Sequence, residues 1–430
     1  MKKIILKNID EEVLYTKCKD GLDIYMLPNK KVKSFYITLN VKYGSMDTAF
    51  KEKKAKKYIE VPNGVAHFLE HMKFYQPNGM SAHDYYQKLG SSINAATSYR
   101  YTYYEVYATT EFKKNLSYLL EYVYTPCFKA KDIKTEKGII KEEIKMGLDN
   151  PYNMLYQFSN ELLYKKDNMK YSVAGSVSDI NKINSEILKK VYNHFYKPDN
   201  MFLVITGNFD PQLAKAIVNE KMKELSFSTI SDVEIKREKE PTDCNQNEKI
   251  VSMDIVVPKI KLSYKIPYKN FKYLKITNTE LVAYLNIILK NKFGTTSEFY
   301  QKLNEEKLLN SAIYFSNVVR KEKDFVILSL ETETKYPEEI KVKLINNLKN
   351  FEVSESFLKR QRSVLLSNVV LRTDSIQTMN MIIQNNILFY DKIIDNEYEI
   401  YKNLNIDTLN KVINCLDFSN IAYVQINPLN

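Results

Sequence analysis

The pentapeptide Tyr85-Tyr86-Gln87-Lys88-Leu89 returns as Phe299-Tyr300-Gln301-Lys302-Leu303, 214 positions later in a chain of 430. A repeat at half the chain length points to one supersecondary plan built twice. Each copy is followed by the same pattern. Ile93 to Thr109 and Ser311 to Thr332 both read as strand, turn, strand. Between the copies, Ser226 to Ile250 is polar, charged and interrupted by Pro241, which reads as a linker. The sequence therefore predicts two similar domains, 1–225 and 251–430, joined by 226–250.

Within each half, strands fall in hairpins and helices in the longer connections. Ser34 to Tyr43 alternates with Phe35, Ile37, Leu39 and Val41 on one face. Val61 to Phe74 reads as a helix after Pro62 and Asn63, and Ile133 to Leu148 as another, closed by Asp149-Asn150-Pro151. The expected class is α+β: two duplicated domains, each a mostly antiparallel sheet covered on one side by helices.

Composition narrows the function. The net charge of +11 comes from 63 basic residues interleaved with 52 acidic ones. No basic block is laced with aromatics on one face, so nucleic-acid binding is not expected. No apolar run is long enough to span a bilayer, and the apolar stretch before Lys7 is too short for a signal peptide. The expected location is the cytoplasm. Cys18, Cys127, Cys244 and Cys415 are far apart, which suits single core cysteines better than a disulfide framework or a thiolate metal site.

Chemistry concentrates in His67-Phe68-Leu69-Glu70-His71. Residues four apart share a helical face, so two imidazoles can reach one cation there. The Glu70 carboxylate borders that face and could take a proton from a water that the cation polarises. Two ligands are too few for a catalytic zinc, which usually has three from the protein and one open position. The helix Glu136 to Ile144 offers carboxylates. At about 100° per residue, Glu143 falls about 20° from Glu136, between Ile139 and Ile140, while Glu142 falls on the edge of that stripe. A carboxylate in an apolar face needs a cation, so Glu143 is the expected third ligand. Glu136 can reach the same region to orient a ligand. His83 and His194 read as surface or packing residues.

These motifs resemble those of the pitrilysin/insulinase family, the inverzincins, over most of the chain. Tyr43-Gly44-Ser45-Met46-Asp47 resembles its Gly-Ser-x-Asp loop, and Gly64 to Phe74 its metal helix. Asn94-Ala95-Ala96-Thr97-Ser98 resembles its substrate-binding edge strand, and Glu136 to Glu143 its distal-ligand stretch. Ala174-Gly175-Ser176 and Tyr196 to Met201 resemble two later landmarks. The chain is most similar to compact bacterial members shaped like mitochondrial processing peptidase subunits. The resemblance implies that His67, His71 and Glu143 bind Zn2+, that Glu70 is the general base, and that a peptide adds as a strand beside Asn94 and Ala95. The implied activity is that of a zinc endopeptidase acting on short or unfolded peptides; a non-catalytic partner that keeps the fold is the alternative.

In the second half, Leu281, Tyr284 and Leu285 stand where His67, Glu70 and His71 would repeat, so that half carries no metal chemistry. Members of the family that work alone have an Arg and a Tyr seven residues apart there. Asn304 and Ser311 stand in their places. The expected assembly is a heterodimer with a homologous chain that supplies the pair, a homodimer being the simpler alternative.

Overall fold

The computed structural model describes residues 1–227, 231–320 and 324–429. These form two compact units that interleave along the chain. One comprises residues 1–144, 172–237 and 369–396, the other 145–171, 238–368 and 397–430.

The first unit contains β1 (Lys2–Leu6), β2 (Glu11–Lys17), β3 (Asp23–Pro28), β4 (Phe35–Val41), β5 (Ala49–Glu52), β6 (Ile59–Glu60), β7 (Ser92–Thr97), β8 (Thr102–Ala108), β9 (Met201–Gly207) and β10 (Val233–Ile235). Its main sheet runs β1-β2-β3-β9-β4-β8-β7. Only the β3–β9 pair is parallel. The second unit contains β11 (Glu248–Met253), β12 (Lys259–Pro267), β13 (Tyr314–Arg320), β14 (Phe325–Glu333) and β15 (Ile421–Pro428), ordered β11-β15-β12-β14-β13. Here only β11–β15 is parallel.

Apart from the β1–β2 hairpin, the two sheets share one plan. A first strand lies parallel to the last, and a hairpin that begins with the edge strand returns to pair beside a central strand. The repeated pentapeptides occupy the same place in each copy, in the helices Ala82–Lys88 and Glu298–Glu305 that precede β7 and β13. The duplicated α+β architecture expected from the sequence is what the chain adopts. The turn of the second hairpin, at 321–323, lies outside the described residues.

The division of the chain differs from a single cut at 226–250. Val233 and Ile235 pack against the first core, and β10 pairs with β5. Glu248 already begins β11. The expected linker is thus part of both sheets' surroundings, although residues 228–230 lie outside the described ones. The helix Pro151–Leu163 belongs to the second unit, and the helix Ile376–Tyr390 to the first.

That last helix covers the second face of the first sheet, packing on β4 and β9. It is held by a buried polar seam. Thr38 Oγ1 donates to Asn380 Oδ1 at 2.8 Å, Asn380 Nδ2 donates to the carbonyl of Val204 at 3.2 Å, and Thr206 Oγ1 donates to the carbonyl of Ile376 at 2.8 Å. Gln384 Nε2 donates to Asn40 Oδ1. Met379, Ile383 and Ile387 flank the seam against Leu27, Phe202 and Val204. So β4, read from its alternation as a strand with one apolar face, is buried on both. The one-sided helical cover expected from the sequence does not hold for this unit.

In the second unit, the buried Lys265 is ion-paired with Glu240 at 2.8 Å and also donates to the carbonyl of Leu163 at 2.9 Å. Glu240 accepts the backbone N–H groups of Lys165, Lys166 and Asp167 at 2.8–2.9 Å. All four cysteines are buried and unpaired, as expected. Among the described residues no helix is long and apolar enough to cross a membrane.

Candidate metal centre

The helix Val65–Met72 starts at Gly64, which takes a left-handed φ of 81°. A Cβ there would lie 2.3 Å from the carbonyl oxygen of Ala174, so glycine is required by both conformation and space. This contact pins the helix start against the Ala174–Gly175 turn. Phe68, Leu69 and Met72 are buried in the core, which turns His67 and His71 together toward the opposite side.

The two imidazoles meet edge to face, and their Nε2 atoms lie 3.2 Å apart. Glu143 approaches both: Oε1 is 3.5 Å from His67 Nε2 and Oε2 is 3.6 Å from His71 Nε2. His67, His71 and Glu143 are the group among the described residues able to hold a metal ion. Two ligand atoms on a tetrahedral zinc are separated by about 3.3 Å, given bonds of about 2.0–2.1 Å. The three observed separations lie close to that edge, so the donor set fits a zinc-sized ion.

Glu136 fixes His71 from behind. Its Oε1 is 2.7 Å from His71 Nδ1, and Tyr75 donates to its Oε2 at 2.7 Å. An ionised carboxylate can only accept, so Nδ1 carries the proton and the Nε2 lone pair points at the shared centre. His67 Nδ1 is buried without a partner among the described residues.

Glu70 is buried, and Thr97 donates to its Oε2 at 2.5 Å. Thr97 lies on β7, the edge of the sheet, so the carboxylate is tied to the strand beside which a peptide was expected to add. Asn94 is exposed on that strand, while Ala95 is buried against the helices and can offer only its backbone.

The acids divide by environment. Burial holds the Glu70 carboxyl above the usual carboxylate range, outweighing His67 and the Thr97 hydrogen bond. The His67 contact lowers Glu143 against the opposing effect of burial. Burial also opposes Glu136, but hydrogen bonds from His71 and Tyr75 outweigh it, so its pKa falls. Two carboxylates are thus set to stay charged beside a cation, and one to accept a proton.

Each residue named from the sequence is here, but one reason for choosing Glu143 fails. Ile139 is 49% exposed and does not lie in a buried stripe. The buried face of helix Ala130–Asp149 carries Ile133, Glu136 and Ile140, and Glu143 sits at its margin. Glu142 stays outside the converging group. Sequence reasoning assigned no role to Thr97 or Tyr75. Thr97 shares the parity of the buried Ala95, which could have marked it, whereas Tyr75 lies beyond the end of the helix Val65–Met72, where helical spacing gives no signal. His83 stacks on Phe74 and His194 packs against Phe50, as expected of residues without a metal role.

Residues 26–177 match the family described as Insulinase (Peptidase family M16), and residues 182–365 match the Peptidase M16 inactive domain. The chain belongs to peptidase family M16. It is 33% identical over 317 residues to a Bacillus subtilis (strain 168) protein named "uncharacterized zinc protease YmfH", covering 73% of each chain. A Rickettsia bellii (strain RML369-C) protein named "uncharacterized zinc protease" is 25% identical over 432 residues, 96% of this chain and 97% of that one. Among solved structures, an M16-like peptidase from Alicyclobacillus acidocaldarius superposes with a TM-score of 0.88 at 22% identity, covering 99% of this chain and 100% of that one. That likeness is one of fold. The first M16 match contains the whole converging group with Glu70 and β7. The match to the inactive domain includes Leu281, Tyr284 and Leu285, which lie buried in the second core without ligating capacity.

Proposed function

We propose that the protein is a zinc-dependent endopeptidase acting on short or unfolded peptides. The observation that carries this reading is the joining of two features: His67, His71 and Glu143 converge on one point, and the adjacent Glu70 is hydrogen-bonded to the sheet's edge strand. A peptide that adds to β7 brings its backbone to Glu70 through the same strand that carries Thr97.

Zinc, when bound, supplies Lewis acidity toward a peptide carbonyl and a water. The remaining steps fall to this chain. Glu136 and Tyr75 hold His71 in the ligating tautomer. Thr97 occupies Glu70 Oε2, which leaves Oε1 to take the proton of the attacking water and pass it to the departing amine. Burial around Glu70 keeps competing water away.

Metal content tests the ligand set. One zinc per chain should bind, and His67→Ala or His71→Ala should remove it. Glu143→Gln should weaken binding strongly, because a neutral amide is a poorer ligand than a carboxylate. Full zinc in Glu143→Gln, with loss in Glu142→Gln, would overturn the choice.

The same reading assigns the chain the metal-bearing place in a two-subunit peptidase. Asn304 is exposed on its helix, and Ser311 is engaged locally, its Oγ accepting from the Glu333 N–H at 3.0 Å. Neither replaces an Arg/Tyr pair that would bind a substrate backbone. The purified chain should bind zinc but cleave peptides slowly. A homologous chain that carries the pair should raise the rate sharply when added. A homodimer with full activity would remove the need for a partner.

A further inference from the structure

The β7–β8 hairpin has two unlike faces. Ile93, Ala95 and Thr97 face Val106, Tyr104 and Thr102 on the side of the metal helix. On the other side, Ser92, Asn94 and Ala96 lie opposite Tyr107, Glu105 and Tyr103. Directly opposed residues of an antiparallel pair point to the same face. The helix that covers this side of the sheet packs on β4 and β9, and its Phe389 reaches the turn of the hairpin at Arg100 and Tyr101. Asn94 is exposed and Tyr107 is 39% exposed there.

Glu105 is the acid of this open face. Tyr36 donates to its Oε2, and Oε1 has no hydrogen bond among the described residues. The three residues between it and the free edge have short side chains. A strand added beside β7 would lie two strand spacings from β8, about 9.5–10 Å. The stem of a lysine or arginine and that of Glu105 together cover this span, passing over Asn94 or Ala96. Shorter side chains do not reach.

We propose that Glu105, framed by Tyr103 and Tyr107, is a specificity-determining residue that selects peptides carrying a lysine or arginine on the face of the bound strand turned away from the metal. The favoured position lies opposite Asn94, three residues along from the one opposite Thr97. The cationic head pairs with Oε1, and the flanking rings receive its apolar stem. This rests on the reading of β7 as the strand to which peptide adds.

Binding of uncleaved peptide separates the two claims. Zinc-loaded full-length protein carrying Glu70→Gln would be titrated, by fluorescence anisotropy, with a labelled nonapeptide in which Lys, Ala or Glu is placed at each position in turn. One position should favour Lys over Glu by about tenfold or more, the size of a charge-assisted hydrogen bond. Adding Glu105→Gln should bring that ratio close to one, and Glu105→Lys should invert it. Circular dichroism checks the fold, and the isosteric glutamine variant carries the test alone if the lysine variant does not fold. Tight binding with no charge preference, or a preference that survives Glu105→Gln, overturns the selection and leaves the edge-strand reading standing. A folded, zinc-loaded protein that binds none of the peptides overturns both.

Discussion

Replacing Glu70 with glutamine should lower kcat/KM for peptide hydrolysis by about 10²–10⁴-fold while zinc content and fold stay unchanged. The substitution keeps the size of the side chain and a partner for Thr97, since an amide oxygen still accepts. It removes the one group beside the converging ligands that burial inclines toward accepting a proton. His67, His71 and Glu143 do not need Glu70 in order to meet, so metal should remain. Activity and metal are read on the same sample, by turnover of a quenched fluorescent peptide and by elemental analysis. Undiminished turnover in a zinc-replete Glu70→Gln protein would mean that another group moves the proton, and the mechanism would fall.

The second large effect is one of stability. Lys265→Met should destabilise the second unit by about 3–5 kcal/mol, because it leaves the buried Glu240 carboxylate without its cation. Glu240→Gln should cost a similar amount by stranding the lysine. The double variant should recover a large part of the loss, since neither charge is then buried alone. Denaturant titration of the three variants checks this, and a double-variant loss equal to the sum of the two single losses would count against it.

The pair also sets a pH dependence. Burial works against the Glu240 carboxylate, but Lys265 and three backbone N–H groups outweigh it and hold its pKa below the ordinary 4.5. Its contribution is therefore complete above about 4.5 and lost as pH falls through the lowered value. For Lys265, burial outweighs the carboxylate and lowers its pKa, so that group adds no loss of stability as pH rises toward 10.5.

The metal helix was legible because its signal is local: two histidines a turn apart, an acid between them, and apolar residues that must face inward. The duplicated plan was legible because the repeated pentapeptide keeps one place in each copy, ahead of the edge hairpin. Glu143 was found partly by a faulty route, since a helical wheel cannot tell which apolar residues are covered, and Ile139 is not. The helix Ile376–Tyr390 left no readable trace. Its inward face carries Asn380 and Gln384, which break the apolar periodicity that marks a helix packed on a core. For the same reason Thr38 and Asn40 looked like the wet side of β4, although they bond to a segment some 340 residues away.

The borrowed helix couples the first sheet to the order in which the chain is synthesised. When β9 leaves the ribosome, every strand of the main sheet exists, yet Phe202, Val204 and the polar row Thr38, Asn40 and Thr206 have nothing to cover them. They stay uncovered until Tyr390 emerges, nearly two hundred residues later. Domains are generally completed as units during translation. This one waits for most of its neighbour, and a ribosome that stops anywhere between the two releases a nascent chain with an apolar sheet face open to chaperones and to other chains. A protein assembled in this way completes the cover of its first sheet only after most of the second unit has been translated.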